Sequence, residues 1–370
     1  MKVALVTYST RPRGGVVHTL GLAEALAAEG VDVTVVSLGR GGDSTFFRSV
    51  DPAVSVELVP FPEREGEEVG ARILRSIEVL AGGVDWSAFD VVHAQDCISA
   101  NAAPRCVRTV HHLDRFTTPE LAACHERAIV EPVAHVCVSA AVAAELHEGW
   151  GIVPVVIPNG VAAERFAVAA SQAPDAVAAR AAWNERIGSP WVLAVGGIEP
   201  RKGTLDLVEA FAAARPSLPD HRLVIAGGET LFDYRPYRAE VDARAAELGV
   251  ELVVLGPVPE DDLPALVAAA DVLAMPSRQE GFGLAAMEGL AAGVPVVLSD
   301  LPVFHEVFDG AAVFPHSVGA AGFAEALVDA ATKPDPARTE RGRQLAATYT
   351  WSRAAQAHHH LYRQLALTRT

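Results

Sequence analysis

The stretch Asp271–Asp300, DVLAMPSRQEGFGLAAMEGLAAGVPVVLSD, limits the possible folds more than any other part of the chain. Its opening run, Asp271-Val-Leu-Ala-Met-Pro-Ser277, has the pattern of a parallel strand buried on both faces and stops at a proline. A polar turn with two glycines follows at Arg278–Gly283. Good helix formers then run from Leu284 to Ala292 and end at Gly293, a residue suited to the left-handed position after a helix. Pro295–Asp300 reads as a second strand. Strand, glycine-rich loop, helix and strand make a crossover unit. Its loop falls at the carboxyl end of a strand, where open α/β sheets bind ligands.

The chemistry of that loop follows from its residue types. Gly281 and Gly283 let backbone come close to a ligand. The N–H groups of Leu284 and Ala285 open the helix without intrahelical acceptors, so they point at an anion with the helix dipole behind them. Glu280 precedes the helix and Glu288 lies about one and a half turns into it. A phosphate ester on the helix end would have one carboxylate on each side, and carboxylates accept hydrogen bonds from the vicinal hydroxyls of sugars and riboses.

Glu280-Gly-Phe-Gly-Leu-Ala-Ala-Met-Glu288 resembles the E-x7-E motif of the family 4 retaining glycosyltransferases, and Ala291-Ala-Gly-Val-Pro-Val-Val-Leu-Ser299 continues the likeness. The resemblance implies a GT-B fold: two Rossmann-like, doubly wound parallel-sheet α/β domains facing a cleft, with the last helix crossing back to the first domain. It implies a hexosyl transfer from a nucleotide-diphosphate sugar, the donor being held by Gly281, Phe282, Gly283, Leu284, Ala285 and Glu288. Glu280 would hold sugar hydroxyls near the anomeric carbon and Glu288 the ribose.

Strands and helices alternate along the whole chain, which calls for parallel sheets with right-handed crossovers. Lys2–Tyr8 and Asp32–Leu38 are strands around a helix at Val16–Glu29, with Ser9–Gly15 as a loop. Gly14-Gly15 alone reads as an ordinary turn. By resemblance it is the glycine pair that lets backbone approach the donor diphosphate. Further strands are expected at Ser55–Phe61, Asp90–Asp96, Arg108–His112 and His135–Ser139. His111, in Thr109-Val110-His111, matches a family histidine that approaches the donor sugar or the acceptor; read on its own it is equally a core histidine. The polar segment Leu113–Cys124, interrupted by Pro119, is placed to cover an acceptor.

Val153–Gly160 resembles the strand and turn that leave the family's first domain, so residues 1–162 form the acceptor domain, joined by a helix at about 351–370, and residues 163–350 the donor domain. Ala167–Ala182 is alanine-rich and carries no clear pattern. In the second half, Trp191–Gly197 is a strand and Ile198-Glu-Pro-Arg-Lys-Gly203 a turn with two cations before a helix at Thr204–Ala214. Arg201 and Lys202 suit phosphate neutralisation, one as a planar fork and one as a point charge. The turn resembles the family's diphosphate site but has Gly197 where many members have arginine, so Arg201 is the candidate substitute. By resemblance, Leu255–Val258 and Met275–Ser277 cradle the nucleotide base, although both also read as turns. Late elements are expected as a strand at Ala312–Pro315 and helices at Gly319–Thr332 and Trp351–Leu367, with His358–His360 structural within the last.

Composition removes other classes. A net charge of −16 argues against a nucleic-acid groove and against tight binding to anionic membranes, and nothing in the sequence supports peripheral membrane contact. No apolar run reaches the roughly 20 residues of a membrane span. Cys97, Cys106, Cys124 and Cys137 fit neither a zinc site nor a disulfide framework, which suits reduced thiols in a cytoplasmic protein. No D-x-D motif occurs, so no metal and no other cofactor is expected beside the nucleotide sugar. A nucleotide-sugar binder without turnover and a GT-B epimerase or phosphorylase are the alternative functions. The acceptor, the base and the sugar are not specified by the sequence.

Overall fold

The computed structural model describes residues 1–114, 116, 118–228 and 234–367. The chain divides into two compact units, Met1–Gly160 with Tyr349–Thr370, and Val161–Thr348.

The first unit alternates β1 (Lys2–Val6), α1 (Gly14–Ala28), β2 (Asp32–Arg40), β3 (Ser55–Phe61), α2 (Val69–Gly83), β4 (Val91–Ala94), α3 (Cys97–Ala102), β5 (Val107–Val110), α4 (Pro119–Val130), β6 (Ala134–Cys137), α5 (Ala140–Trp150) and β7 (Val155–Val156). Among the described residues the strands pair in the order β3-β2-β1-β4-β5-β6-β7, and every pairing is parallel. The order reverses direction between β1 and β4, which makes that junction the topological switch point. Both sheet faces are covered. Val3 and Leu5 pack with Leu20 and Leu26 of α1 on one side, while Ala4 and Val6 pack with Leu80 and Ala100 on the other.

The second unit runs through α6 (Ala163–Ala169), α7 (Pro174–Ile187), β8 (Trp191–Val195), α8 (Thr204–Ala214), β9 (Arg222–Ala226), α9 (Arg235–Glu247), β10 (Leu252–Gly256), α10 (Leu263–Ala269), β11 (Val272–Met275), α11 (Leu284–Ala292), β12 (Val296–Leu298), α12 (Pro302–Phe308), α13 (Ala320–Thr332) and α14 (Pro336–Thr348). Its described strands are again parallel, in the order β10-β9-β8-β11-β12, with the switch point between β8 and β11.

The last helix, α15 (Trp351–Leu367), belongs to the first unit. Its seat on α1 depends on glycine. A Cβ on Gly21 would lie 2.5 Å from the Trp351 ring, and one on Gly160 would lie 2.5 Å from the Trp351 backbone. Farther along, the Tyr362 hydroxyl bonds His93 Nδ1 at 2.6 Å, and His93 Nε2 bonds Thr109 Oγ1 at 2.7 Å. His358 is fully buried and donates from Nδ1 to the Ala354 carbonyl at 2.8 Å, so it is part of the packing.

Several expectations from sequence are corrected. Gly14 and Gly15 lie in the first turn of α1, because Arg13 takes the extended cap position. Ala312–Pro315 forms no strand; Val313 makes a single parallel bridge to Val297. The unread alanine-rich stretch is the helices α6 and α7, the second opened by Pro174 at a position where its missing N–H costs nothing. Pro119 likewise starts α4 instead of interrupting a loop. Within Leu113–Cys124, Arg115 and Thr117 lie outside the described residues.

The seat of α15 gives a first prediction. Gly21→Val should cost about 2 kcal/mol or more through overpacking against Trp351. Gly82→Ala, at a helical position where a Cβ meets nothing within 4 Å, should be neutral or stabilising by about 0.5 kcal/mol. Thermal unfolding of both variants checks this; equal melting temperatures would remove the role given to Gly21.

Candidate functional site

In the second unit, the turn after β8 and the loop after β11 meet at the switch point. The turn Pro200–Lys202 is a single 3-10 turn that ends at Gly203, in the left-handed region at φ 67°. A Cβ there would lie 2.0 Å from the Pro276 carbonyl oxygen, so the two backbones touch. The Arg201 carbonyl accepts from the Arg278 and Gln279 N–H groups at 2.8 and 3.3 Å. The Arg278 guanidinium grips Asp206 of α8 with two bonds of 2.7 Å. The loop is thereby pinned to the turn from both sides.

This clamp brings Lys202 and Glu280 together. Lys202 Nζ donates to Glu280 Oε2 at 2.6 Å, with both side chains largely covered. Arg201 pairs with the buried carboxylate of Glu199 at 2.7 Å. Lys202, expected on phosphate, and Glu280, expected on sugar, therefore hold each other.

The start of α11 carries no side-chain cap and no acidic residue in its first turn. The Met287 N–H bonds the Gly283 carbonyl at 3.1 Å, which leaves the preceding amides, those of Leu284 and Ala285 among them, without intrahelical acceptors. Both residues are half-exposed. Gly283 has φ 99°, and a Cβ on it would press on Phe304 and Phe308 at 3.0–3.1 Å. Phe282 is buried. Glycine at 283 thus holds the loop close to the α12 aromatics and leaves the helix end open. The buried hydroxyl of Ser277, at the end of the β11 segment, has no hydrogen-bond partner among the described residues.

Glu288 lies on α11, half-buried, with Glu260 nearby from the segment between β10 and α10. Burial first, and then the Glu260 charge, push its carboxyl up to about 8. Arg165 of α6 opposes this. It bonds Glu260 Oε1 at 2.6 Å and the Glu260 carbonyl at 2.9 Å, and its charge reaches Glu288.

In the first unit, His111 follows the end of β5. Its ring packs edge-on against His18 at 4.8 Å, and a Cβ on Gly15 would lie 3.9 Å from it. The structure therefore joins Gly15 and His111, two residues selected separately from sequence. His111 Nε2 is buried without a hydrogen-bond partner among the described residues, whereas His93 satisfies both ring nitrogens. Burial, and then Arg108 and His112, hold the His111 imidazole well below its usual range, so it is neutral at pH 7.

Sequence reading missed Glu199, the Arg278–Asp206 clamp and the Arg165–Glu260 pair. The clamp partners are 72 positions apart and the last pair 95, with no local pattern to link them. Only Glu199 carried a signal, as the acid two places before Arg201.

Comparison with known proteins assigns the class. Residues 177–338 match the family model described as glycosyl transferases group 1, and residues 12–165 match glycosyltransferase family 4. A phosphatidyl-myo-inositol mannosyltransferase of Propionibacterium freudenreichii is 30% identical over 95% of this chain and 92% of its own length. Sucrose-phosphate synthase from Thermosynechococcus elongatus superposes with a TM-score of 0.79, at 20% identity over 99% of each chain. Anabaena Alr3699/HepE, solved in complex with UDP and glucose, gives a TM-score of 0.74 at 18% identity over 98% of this chain and 99% of its own. The chain belongs to this glycosyltransferase family, and its two parallel-sheet units have the GT-B fold.

The raised carboxyl of Glu288 predicts a pH-dependent stability cost. The unfolded group ionises near 4.5 and the folded one near 8, so the folded state binds the extra proton between them and loses stability as pH rises through that window. Glu288→Gln should therefore match the wild type in melting temperature at pH 4 and exceed it at pH 8. A difference that does not vary with pH would refute the assignment.

Proposed function

We propose that the protein is a retaining hexosyltransferase that takes its sugar from a nucleoside-diphosphate donor, with the second unit binding the donor and the first the acceptor. The observation that carries this reading is the uncapped α11 N-terminus beside the Lys202–Glu280 pair. Departure of a diphosphate from the anomeric carbon builds negative charge. Fixed amides and cations aimed at that charge lower the barrier by several kcal/mol, as an oxyanion hole does. Leu284 and Ala285 supply the amides, Lys202 and Arg201 the cations.

A diphosphate at this helix end competes with Glu280 for Lys202. Drawing Lys202 away releases Glu280 Oε2 to accept a sugar hydroxyl, so donor binding itself arms the carboxylate. Glu288 meets the ribose; its neutral carboxyl can donate to one ribose oxygen and accept from the other hydroxyl. Neutral His111, with Nε2 unpartnered, accepts a hydrogen bond from a hydroxyl of the donor sugar or acceptor. The acceptor attacks from the face the diphosphate leaves, and the departing phosphate oxygen takes its proton. The cations and amides supply the positive charge, so the reading requires no divalent ion. The UDP and glucose in the HepE structure and the mannosyltransferase relative support a nucleotide-sugar donor. The free thiols of all four cysteines suit a cytoplasmic setting.

Three variants test the roles by calorimetry with UDP and GDP beside donor-hydrolysis kinetics. Lys202→Ala should weaken the nucleoside diphosphate by roughly 1.5–3 kcal/mol and slow turnover as well. His111→Ala should bind it as the wild type does, Glu280→Gln as tightly or more tightly because Lys202 is released from its partner, and both should lower kcat. Loss of nucleotide affinity in Glu280→Gln equal to that in Lys202→Ala would contradict the placement of the donor.

A further inference from the structure

A second basic site lies in the first unit, at the carboxyl ends of β1 and β2. In a chain of net charge −16, two arginines there flank one tyrosine. The guanidinium carbons of Arg13 and Arg40 each sit 5.4 Å from the centre of the Tyr8 ring. Arg13 also donates from Nη1 to the Tyr8 hydroxyl. Arg40 spans Tyr8 and Phe61, donating from Nε to the Tyr8 carbonyl at 3.3 Å and from Nη2 to Ser76 Oγ at 2.9 Å.

Neither arginine forms an ion pair with a carboxylate among the described residues. The acids of the neighbourhood are committed elsewhere. Asp96 places Oδ1 on the Ser99 N–H at 2.8 Å and Oδ2 on the Tyr8 N–H at 3.0 Å. Glu67 is held in two bonds of 2.6 Å by Arg75, and Asp43 accepts from Thr10 at 2.6 Å. Burial chiefly, with Arg72 and Arg13 adding to it and Tyr8 and Asp96 opposing, pulls Arg40 down to about 10. Among the described residues, Arg13 Nε is buried with no hydrogen-bond partner, and the Tyr8 hydroxyl, which accepts from Arg13, has no acceptor for its own hydrogen. Like-charged side chains held together, with donors left over, are disposed to receive an anion.

The position agrees. Tyr8 and Asp96 follow β1 and β4, the two strands at the switch point of this sheet, and their hydrogen bond ties the two chain segments together. Arg13 caps α1, two residues before Gly15, which abuts His111. The cluster therefore shares the ligand end of the sheet with His111.

We propose that Arg13, Arg40 and the Tyr8 hydroxyl form a phosphate subsite in the first unit, and that the acceptor of this transferase carries a phosphate group. Only the word acceptor rests on the function proposed above; the anion site stands without it.

The test uses the full chain and three probes: glycerol 3-phosphate, vesicles of phosphatidylglycerol against phosphatidylcholine, and UDP. Glycerol 3-phosphate should bind the wild type and bind Arg13→Gln and Arg40→Gln about tenfold less tightly each, while UDP binds all three alike. Binding to phosphatidylglycerol but not phosphatidylcholine vesicles, lost in the same variants, would support the subsite with the phosphate on a lipid. Should the glutamine variants fail to fold, Tyr8→Phe removes only the hydroxyl beside Arg13 and should still weaken the anion. Anion binding that is absent, or unchanged in every variant, would overturn the proposal. A parallel loss of UDP affinity would overturn it as well, since the arginines would then serve the donor. UDP affinity that survives Lys202→Ala would fail the donor reading alone.

Discussion

The close contact of Gly203 with the Pro276 carbonyl is the constraint on which the second unit's chemistry depends. A Cβ at 203 would lie 2.0 Å from that oxygen, and φ 67° suits glycine in any case. The contact joins two segments that the sequence separates widely, the turn after β8 and the loop after β11. Once they are joined, the Arg201 carbonyl stitches the loop backbone and Lys202 reaches Glu280. Parallel pairing of β8 with β11 brings the segments to the same end of the sheet, and glycine lets them touch. The site is thus a product of topology first and side chains second.

The electrostatics of both units share a principle. Polar groups are held away from their usual charge or pairing. Glu288 is kept neutral by burial, His111 is kept neutral with a bare nitrogen, and the α11 amides face outward without a cap. The burial of Glu288 and of the His111 ring nitrogen costs folding free energy, and folded proteins tolerate such costs where function requires them. The Lys202–Glu280 pair is the milder form, since each charge has a partner.

Much of this was legible from residue patterns because the punctuation was unambiguous. Helices α8, α11 and α15 have the boundaries that glycine stops and apolar spacing indicated, and the strands differ from expectation by a few residues at their ends. The failures have physical reasons. α3 has six residues, too few for a period, and is held by the reciprocal cap of Asp96 and Ser99. α7 buries only Trp183 and Ile187, so its alanines show no stripe. Ala312–Pro315 has strand-like residues, but its pairing with the edge strand β12 stops at the one bridge of Val313 to Val297. At the site, residue types were readable and pairings were not: Lys202 and Glu280 stand 78 positions apart, and only the fold makes them partners.

The central claim is that the turn at Lys202 and the start of α11 form one diphosphate cradle. A crystal structure of the protein soaked with a nucleoside diphosphate tests it most directly. The account predicts the terminal phosphate within hydrogen-bond distance of the Leu284 and Ala285 N–H groups, with Lys202 Nζ moved from Glu280 Oε2 onto a phosphate oxygen. A nucleotide bound away from the α11 N-terminus, or a Lys202–Glu280 bond that persists at full occupancy, would contradict it.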